Sequence, residues 1–328
     1  MVVINTEIAQ QSLAEAITPE PDFFVRSHFE VPDLDAASHM LTIEGAVANR
    51  IELSIDDLRA MPQHTIVATL ECAGNNRTAM NPLPPGEPWN GGAVSTAAWG
   101  GVRLDSLLQL AGVADSVVEI LSEGADSGVA EDGSPLGFIR SMPVDVAATA
   151  LVALSMNGAP LTAAHGAPVR LIVPRWYGVA SVKWLRRLEA IIEPYQGWFQ
   201  RDRYVIDRVD GSEPVPVQQM AVSSLLSAPL EAVTAGAVTL TGWAWSGQGE
   251  VVRVSVAVDD QWVDAAVEQS DDPNSWCRWS LTTKLLAGTH HVRCRAWDST
   301  GRAQPLDVPW NRLGYVSNAA RGYSVVVL

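Results

Sequence analysis

From Val238 onward the chain alternates apolar and polar residues in short runs: Val238–Ala244, Val251–Asp259, Trp276–Leu281 and His291–Trp297. Polar or glycine-rich turns separate them at Ser246–Glu250, Asp271–Asn274 and Ala287–Gly288. A period of two puts successive side chains on opposite faces, so each run has one face to bury and needs a second sheet to bury it against. Recurrence at this spacing predicts a β-sandwich of about 100 residues. Seven of the 12 tryptophans lie in Trp243–Trp310. Residues this large are read as sandwich core, with a subset packing against the first domain or a second subunit.

The stretch before Gly211 has a different character. The pattern predicts a helix within Asn5–Thr18, a strand at Met40–Ile43 and a capped helix at Ser54–Met61 that stops before Pro62. A strand at Thr65–Glu71 runs directly into Cys72. Val102–Ala111 reads as a helix, because Leu104, Leu107, Leu108 and Ala111 share one face. Val117–Leu121 reads as a strand, Glu123–Ser134 as a loop, Val144–Leu151 as helical and Val169–Val173 as a strand, while Val182–Ile192 is ambiguous. No βαβ period occurs, nor a Gly-x-Gly-x-x-Gly after a strand, so a dinucleotide fold is not supported. Ser212–Pro216 reads as a linker. The expected architecture is α+β: a mixed α/β domain over residues 1–210, then a β-sandwich over 211–328.

Apolar residues make up 47% of the chain and charged ones 18%, enough for a real core and too little charge for long disorder. With 22 basic and 37 acidic side chains the net charge is −15, which repels phosphate backbones and argues against nucleic acid as a partner. No apolar run reaches the roughly 18–20 residues of a membrane helix, so membrane insertion is not expected. The first residues show no basic segment, twin arginine or cleavage site. The chain as given reads as cytoplasmic, or periplasmic if an export signal has been removed.

Leu70-Glu71-Cys72-Ala73-Gly74-Asn75-Asn76-Arg77 is the segment richest in chemistry. A cysteine at a strand end precedes a glycine that lets main chain approach a ligand. Arg77 is placed to favour a thiolate or hold an anion. From these residues alone Cys72 is open to three readings: a buried structural thiol, a soft-metal or cofactor ligand, or a nucleophile.

The segment resembles the molybdopterin-binding domain of the sulfite oxidase family, whose Cys-Ala-Gly-Asn-Arg-Arg carries the one protein thiolate on molybdenum. The resemblance extends through Phe24-Val25-Arg26-Ser27-His28, Trp89, Gly92–Thr96, Trp99, Gly101–Leu104, His165–Arg170, Val173-Pro174, Gly178, Val182–Leu185, Gln200 and Tyr204. Gly242–Gly247, Trp310-Asn311 and Asn318 resemble the start and end of the family's immunoglobulin-like dimerisation domain.

The resemblance implies a molybdenum cofactor, molybdopterin with molybdenum held by Cys72, and an oxidoreductase that converts sulfite to sulfate. It implies that His28, Asp126, His165, Arg170, Ser181 and Lys183 hold the pterin and its phosphate. Arg26, Arg77, Trp89 and Tyr204 then recognise a small anionic, sulfite-like substrate, and a homodimer forms. No haem, flavin or nicotinamide segment is seen, so electrons are expected to pass to an external acceptor, a cytochrome or oxygen.

Two departures bear on the substrate. Asn76 stands where the family has an arginine. Trp310-Asn311-Arg312-Leu313-Gly314 carries its arginine one place earlier than the Trp-Asn-Leu-Arg-Gly of the family's animal-type enzymes, which in an extended segment turns it to the opposite face. Another small oxyanion or an S- or N-oxide, with nitrate reductase-like activity included, is therefore the alternative substrate class. A non-enzymatic dimeric scaffold is the third reading. Cys277, His290, His291 and Cys294 lack zinc-knuckle spacing, and the two cysteines are read as sandwich core.

Overall fold

The computed structural model describes residues 3–130, 133–208 and 210–328. The chain forms two compact units, neither continuous in sequence. The first takes residues 1–6, 25–66 and 97–218; the second takes 7–24, 67–96 and 219–328.

In the first unit a five-stranded sheet runs in the order Ile51–Ser54, Met40–Gly45, Leu185–Ile191, Glu119–Val129, Pro135–Pro143. Leu185–Ile191 pairs parallel with Met40–Gly45, and the other pairings are antiparallel. A second set of pairings centres on Leu151–Met156, which meets Ala159–Pro160, Arg170–Ile172 and the Trp99–Arg103 end of strand Val94–Arg103. Leu41, Ile43, Leu104, Leu107, Val169 and Leu188 belong to one core with no measurable exposure. Helix Ile55–Ala60 begins where the sequence places it. The Ser54 hydroxyl accepts from the Asp57 N–H, and the Asp57 carboxylate takes the Ser54 N–H, so two otherwise orphaned donors are satisfied.

Four sequence expectations change in the chain before Gly211. The helix expected from Val102 starts at Leu104, because Val102 and Arg103 pair with Val152 and Leu151 in a strand. It ends on Gly112 at φ +68, a conformation that favours glycine. The helical reading of Val144–Leu151 shrinks to Val144–Ala147, since Leu151 already opens a strand. The loop expected over Glu123–Ser134 is mostly strand: Glu119–Val129 pairs with Pro135–Pro143, with a register irregularity between Glu123 and Ser127. Glycine and aspartate are tolerated there because the irregularity releases them from regular pairing. The helix expected in Asn5–Thr18 is absent: Asn5–Thr6 pairs with Val25–Arg26, and Gln10–Ala14 is a single 3-10 turn.

The second unit contains the sandwich. One sheet runs Ser223–Ala228, Gly236–Trp245, Cys277–Leu285, Ala266–Glu268; the other runs Gln261–Asp264, Val251–Val258, Gly288–Asp298, Gly322–Val327. All pairings are antiparallel. Leu240, Val254, Val256, Trp279, Val292 and Cys294 fill the space between. Trp243 and Trp276 stack at 4.9 Å and donate their indole N–H groups to the carbonyls of Leu13 and Ala16. These tryptophans thus anchor the early segment 7–24 within the same unit. Trp262 and Trp310 are exposed instead. Among the described residues no group of three or more His, Cys, Asp or Glu is placed to hold a metal ion. Among the described residues no helix is long and apolar enough to cross a membrane.

Candidate active site

The first unit gathers eight of the residues singled out in the sequence: Arg26, His28, Asp126, His165, Arg170, Ser181, Lys183 and Tyr204. They form two groups. In the first, Arg170 is buried and donates to the carbonyls of His165 (3.0 Å) and Ser181 (3.1 Å), while its guanidinium lies 4.9 Å from the Trp99 ring centre. Its Nε has no hydrogen-bond partner among the described residues, and burial lowers its pKa to about 9. Lys183 donates to the Ser27 hydroxyl (2.7 Å) and the Ala164 carbonyl (3.0 Å) and sits 4.2 Å over the Trp184 ring. Burial, then the charges of Arg170 and Arg26, push the Lys183 ammonium well below the ordinary lysine range, with Asp126 opposing.

Gly166, at φ +99, lets these two stems close. A Cβ there would lie 3.0 Å from both the Arg170 and the Lys183 Cβ atoms. Asp126 is buried in the irregular part of its strand, its Oδ1 has no partner among the described residues, and burial raises its pKa to about 7 against the pull of Lys183. The Ser181 hydroxyl accepts from the Val173 N–H, so this side chain also fixes the adjacent strand. Two crowded cations, an orphaned guanidinium Nε and an orphaned carboxylate oxygen suit a polar anionic group carrying both acceptors and a ring N–H. The donor set therefore fits a pterin phosphate.

The second group is Arg26, His28 and Tyr204. Arg26 donates to Asn5 Oδ1 (3.1 Å) and through Nη2 to His28 Nδ1 (3.2 Å). His28 Nε2 meets the Tyr204 hydroxyl at 2.5 Å. A guanidinium only donates, so Nδ1 accepts and the ring proton belongs on Nε2, facing Tyr204. His28, expected beside the pterin, thus spends both ring nitrogens on two residues expected to recognise substrate. Tyr204 is buried and carries φ 54, a left-handed conformation uncommon for an aromatic residue.

The second unit holds Cys72, Arg77 and Trp89. Cys72 is buried at the end of strand His64–Glu71. Its N–H donates to Ala93 and its carbonyl accepts from Asn75, closing a tight turn. Asn75 ties that turn down twice, accepting from the Ala93 N–H and donating to Glu71 Oε1. Glu71 is buried, and burial raises its pKa to about 7 against the hydrogen bonds from Trp245 and Asn75. Sequence reading missed both Glu71 and Asn75; their place beside Cys72 in the motif was the available signal.

Asn76 occupies the left-handed region (φ 59), which asparagine tolerates better than most residues, and exchanges hydrogen bonds with Ser317. Arg77 is enclosed. Its Nη atoms donate to the carbonyls of Glu87 (2.6 Å) and Leu313 (3.1 Å), and a Cβ on Gly74 or Gly314 would come within 2.4 or 2.6 Å of its guanidinium. Arg77 Nε and Trp89 Nε1 are buried donors with no acceptor among the described residues. Arg312 lies in a turn that Gly314 closes on the Asn311 carbonyl, not in an extended segment, so two-fold alternation does not set its direction. The turn nevertheless exposes Arg312 and buries Leu313.

Residues 28–199 match the model of the oxidoreductase molybdopterin binding domain, and residues 214–327 match that of the Mo-co oxidoreductase dimerisation domain. The chain is 37% identical to mitochondrial sulfite oxidase of Mus musculus, covering 96% of this chain and 62% of that protein. It is 36% identical to sulfite oxidase of Gallus gallus, covering 96% and 74%. Among solved structures, the sulfane dehydrogenase SoxCD of Paracoccus pantotrophus superposes with a TM-score of 0.86 at 27% identity, over 97% of this chain and 83% of that one. The chain thus spans somewhat under two thirds of the mouse relative. A paired cationic cradle, a buried cysteine in a pinned turn and a two-sheet sandwich all fall within matched segments, and the chain belongs to the sulfite oxidase family of molybdopterin oxidoreductases.

Proposed function

We propose that this chain oxidises sulfite to sulfate. The observation that carries the reading is the Arg170–Lys183 cradle: two cations held together beside the orphaned Asp126 oxygen, in a chain of this family. Cys72 supplies the thiolate for molybdenum, and Asn75 and Glu71 keep its turn rigid. Arg170, Lys183 and His165 hold the pterin phosphate, Asp126 takes a pterin N–H, and Ser181 braces the strand behind them. When bound, the cofactor supplies oxygen-atom transfer and two-electron redox chemistry.

The chain's own residues select and orient the anion. In the first unit Arg26 and Tyr204 flank His28, which sets their directions; in the second, Arg77 Nε and Trp89 Nε1 are buried donors without an acceptor among the described residues. Fixed donors of this kind gain most where negative charge concentrates on oxygen. The Tyr204 hydroxyl accepts the Nε2–H of His28, which fixes the direction of the side chain. Electrons leave to an external acceptor, a cytochrome or oxygen. Residues 214–327 pair two copies into a homodimer, which sedimentation at micromolar concentration tests.

Cys72→Ser is expected to leave the fold intact and abolish both molybdenum retention and sulfite turnover. Metal analysis and steady-state kinetics check both, and a metallated, active variant overturns the assignment. A second reading, another small oxyanion or a sulfur compound other than sulfite, is favoured by Asn76 and by the exposed Arg312, which together leave less positive charge than the family pattern. Turnover on such a compound by fully metallated protein, with none on sulfite, decides for it.

A further inference from the structure

We propose that Arg140 is a positioning residue for Tyr204, holding its strained backbone in the conformation that aims the hydroxyl. The inference rests on the reading of Tyr204 as a substrate-recognising residue. Arg140 lies on strand Pro135–Pro143 and has no measurable solvent exposure. A fully buried arginine is rare enough to need a reason.

Its contacts supply one. Nη1 donates to the carbonyl of Phe199, in the short helix Trp198–Arg201 just before Tyr204. Nη2 donates to the carbonyl of Val217 (3.0 Å), and the Val217 N–H in turn donates to the Tyr204 carbonyl (2.7 Å). One guanidinium therefore grips the chain ahead of Tyr204 and the chain that holds Tyr204 from behind. The neighbouring Gln200 amide donates to Ser141 at 3.1 Å, adding a second tie between the same helix and the same strand. The Arg140 guanidinium carbon lies 6.0 Å from the centre of the Tyr204 ring.

The grip has work to do. At φ 54 Tyr204 sits where an aromatic residue is strained, and such strain persists only where surroundings over-determine it. Relaxation to an ordinary backbone conformation would swing the ring away from His28 Nε2. A planar fork with two diverging donors can bridge two carbonyls on different segments; an ammonium keeps the charge but loses that fixed geometry. Arg140→Lys therefore separates geometry from charge.

The test labels the five tyrosines with 3-fluorotyrosine in the metallated full chain and follows them by fluorine NMR, with Tyr204→Phe assigning the Tyr204 signal. In Arg140→Lys, and again in Arg140→Gln, the Tyr204 signal is expected to shift or split while the Tyr315 and Tyr323 signals of the second unit stay in place; Tyr195, which feels the Arg140 charge, is expected to move only in Arg140→Gln. Sulfite kcat/KM is expected to fall by up to about 100-fold, the scale of a misplaced group of about 1 Å. An unmoved Tyr204 signal in both variants overturns the proposal. So does loss of all five signals in both, since Arg140 would then serve the whole unit. Tyr204→Phe with unchanged sulfite kinetics instead removes the reading of Tyr204 as a substrate residue, and the fluorine result still judges Arg140.

Discussion

Trp245 donates its indole N–H to Glu71 at 2.9 Å, linking a sandwich strand to the residue before Cys72 across 174 positions of sequence. The second Glu71 oxygen accepts from Asn75, so a carboxyl with no exposure to speak of is held by two neutral donors. Trp245→Phe keeps an aromatic side chain but deletes the donor and one ring of a buried indole. It is expected to cost at least about 1–3 kcal/mol of stability for the buried acceptor left unmet, with a cavity cost added. Chemical denaturation of wild type and variant checks this; an unchanged midpoint would show that the bond holds nothing.

Lys183 carries opposite expectations for the empty and the loaded chain. Its ammonium is disfavoured by burial and by Arg170, so Lys183→Met removes an uncomfortable charge. Thermal melting of cofactor-free protein is expected to show the variant at least as stable as wild type. Its pterin content after purification is expected to fall by roughly tenfold or more, the value of one charged hydrogen bond to phosphate. Full pterin content in the variant counts against the cradle.

The two sandwich cysteines are expected to be inert. Burial raises the Cys277 thiol to about 12 and the Cys294 thiol to about 11, which leaves almost no thiolate at neutral pH. Mass spectrometry after brief alkylation of native protein should find both unmodified, and both should react once the chain is unfolded in denaturant. Rapid native labelling of either would contradict their place in the core.

Acid stability depends in part on Asp298, buried in the second unit. Burial alone would raise its pKa, but the hydroxyls of Thr300 and Ser246 and the N–H groups of Arg302 and Thr300 outweigh that and hold it below 3.8. A depressed carboxylate contributes stability above its unfolded pKa and loses it as pH falls through the folded one. Asp298→Asn is therefore expected to be less stable at pH 7 and to lose less on acidification below about pH 4 than wild type. Parallel acid-limb curves for the two proteins would exclude this contribution.

Much of the fold and part of the site could be read in advance because local patterns carry them. Two-fold alternation located four sandwich strands, Ser54 with Asp57 announced a helix start, and the Cys72 segment with its ordered companions pointed to the family. Backbone geometry and nearest-neighbour chemistry suffice for such features.

Contacts between distant residues decided the rest. Glu123–Val129 looks like a loop by composition and becomes strand because distant segments pair with it: Leu185 and Arg187 with Gly124 and Glu123, and Pro135–Gly137 with Ser127–Val129. Arg77 reads as a free cation beside a cysteine, yet its terminal nitrogens are taken by the Glu87 and Leu313 carbonyls, the latter 236 residues away. Tyr204 adopts its strained backbone, and His28 its tautomer, only because Val217, Arg140 and Arg26 arrive from other segments. Hydrogen-bond satisfaction in a buried environment is settled by whichever groups the folded chain brings within about 3 Å, and that choice leaves no periodic mark on the sequence.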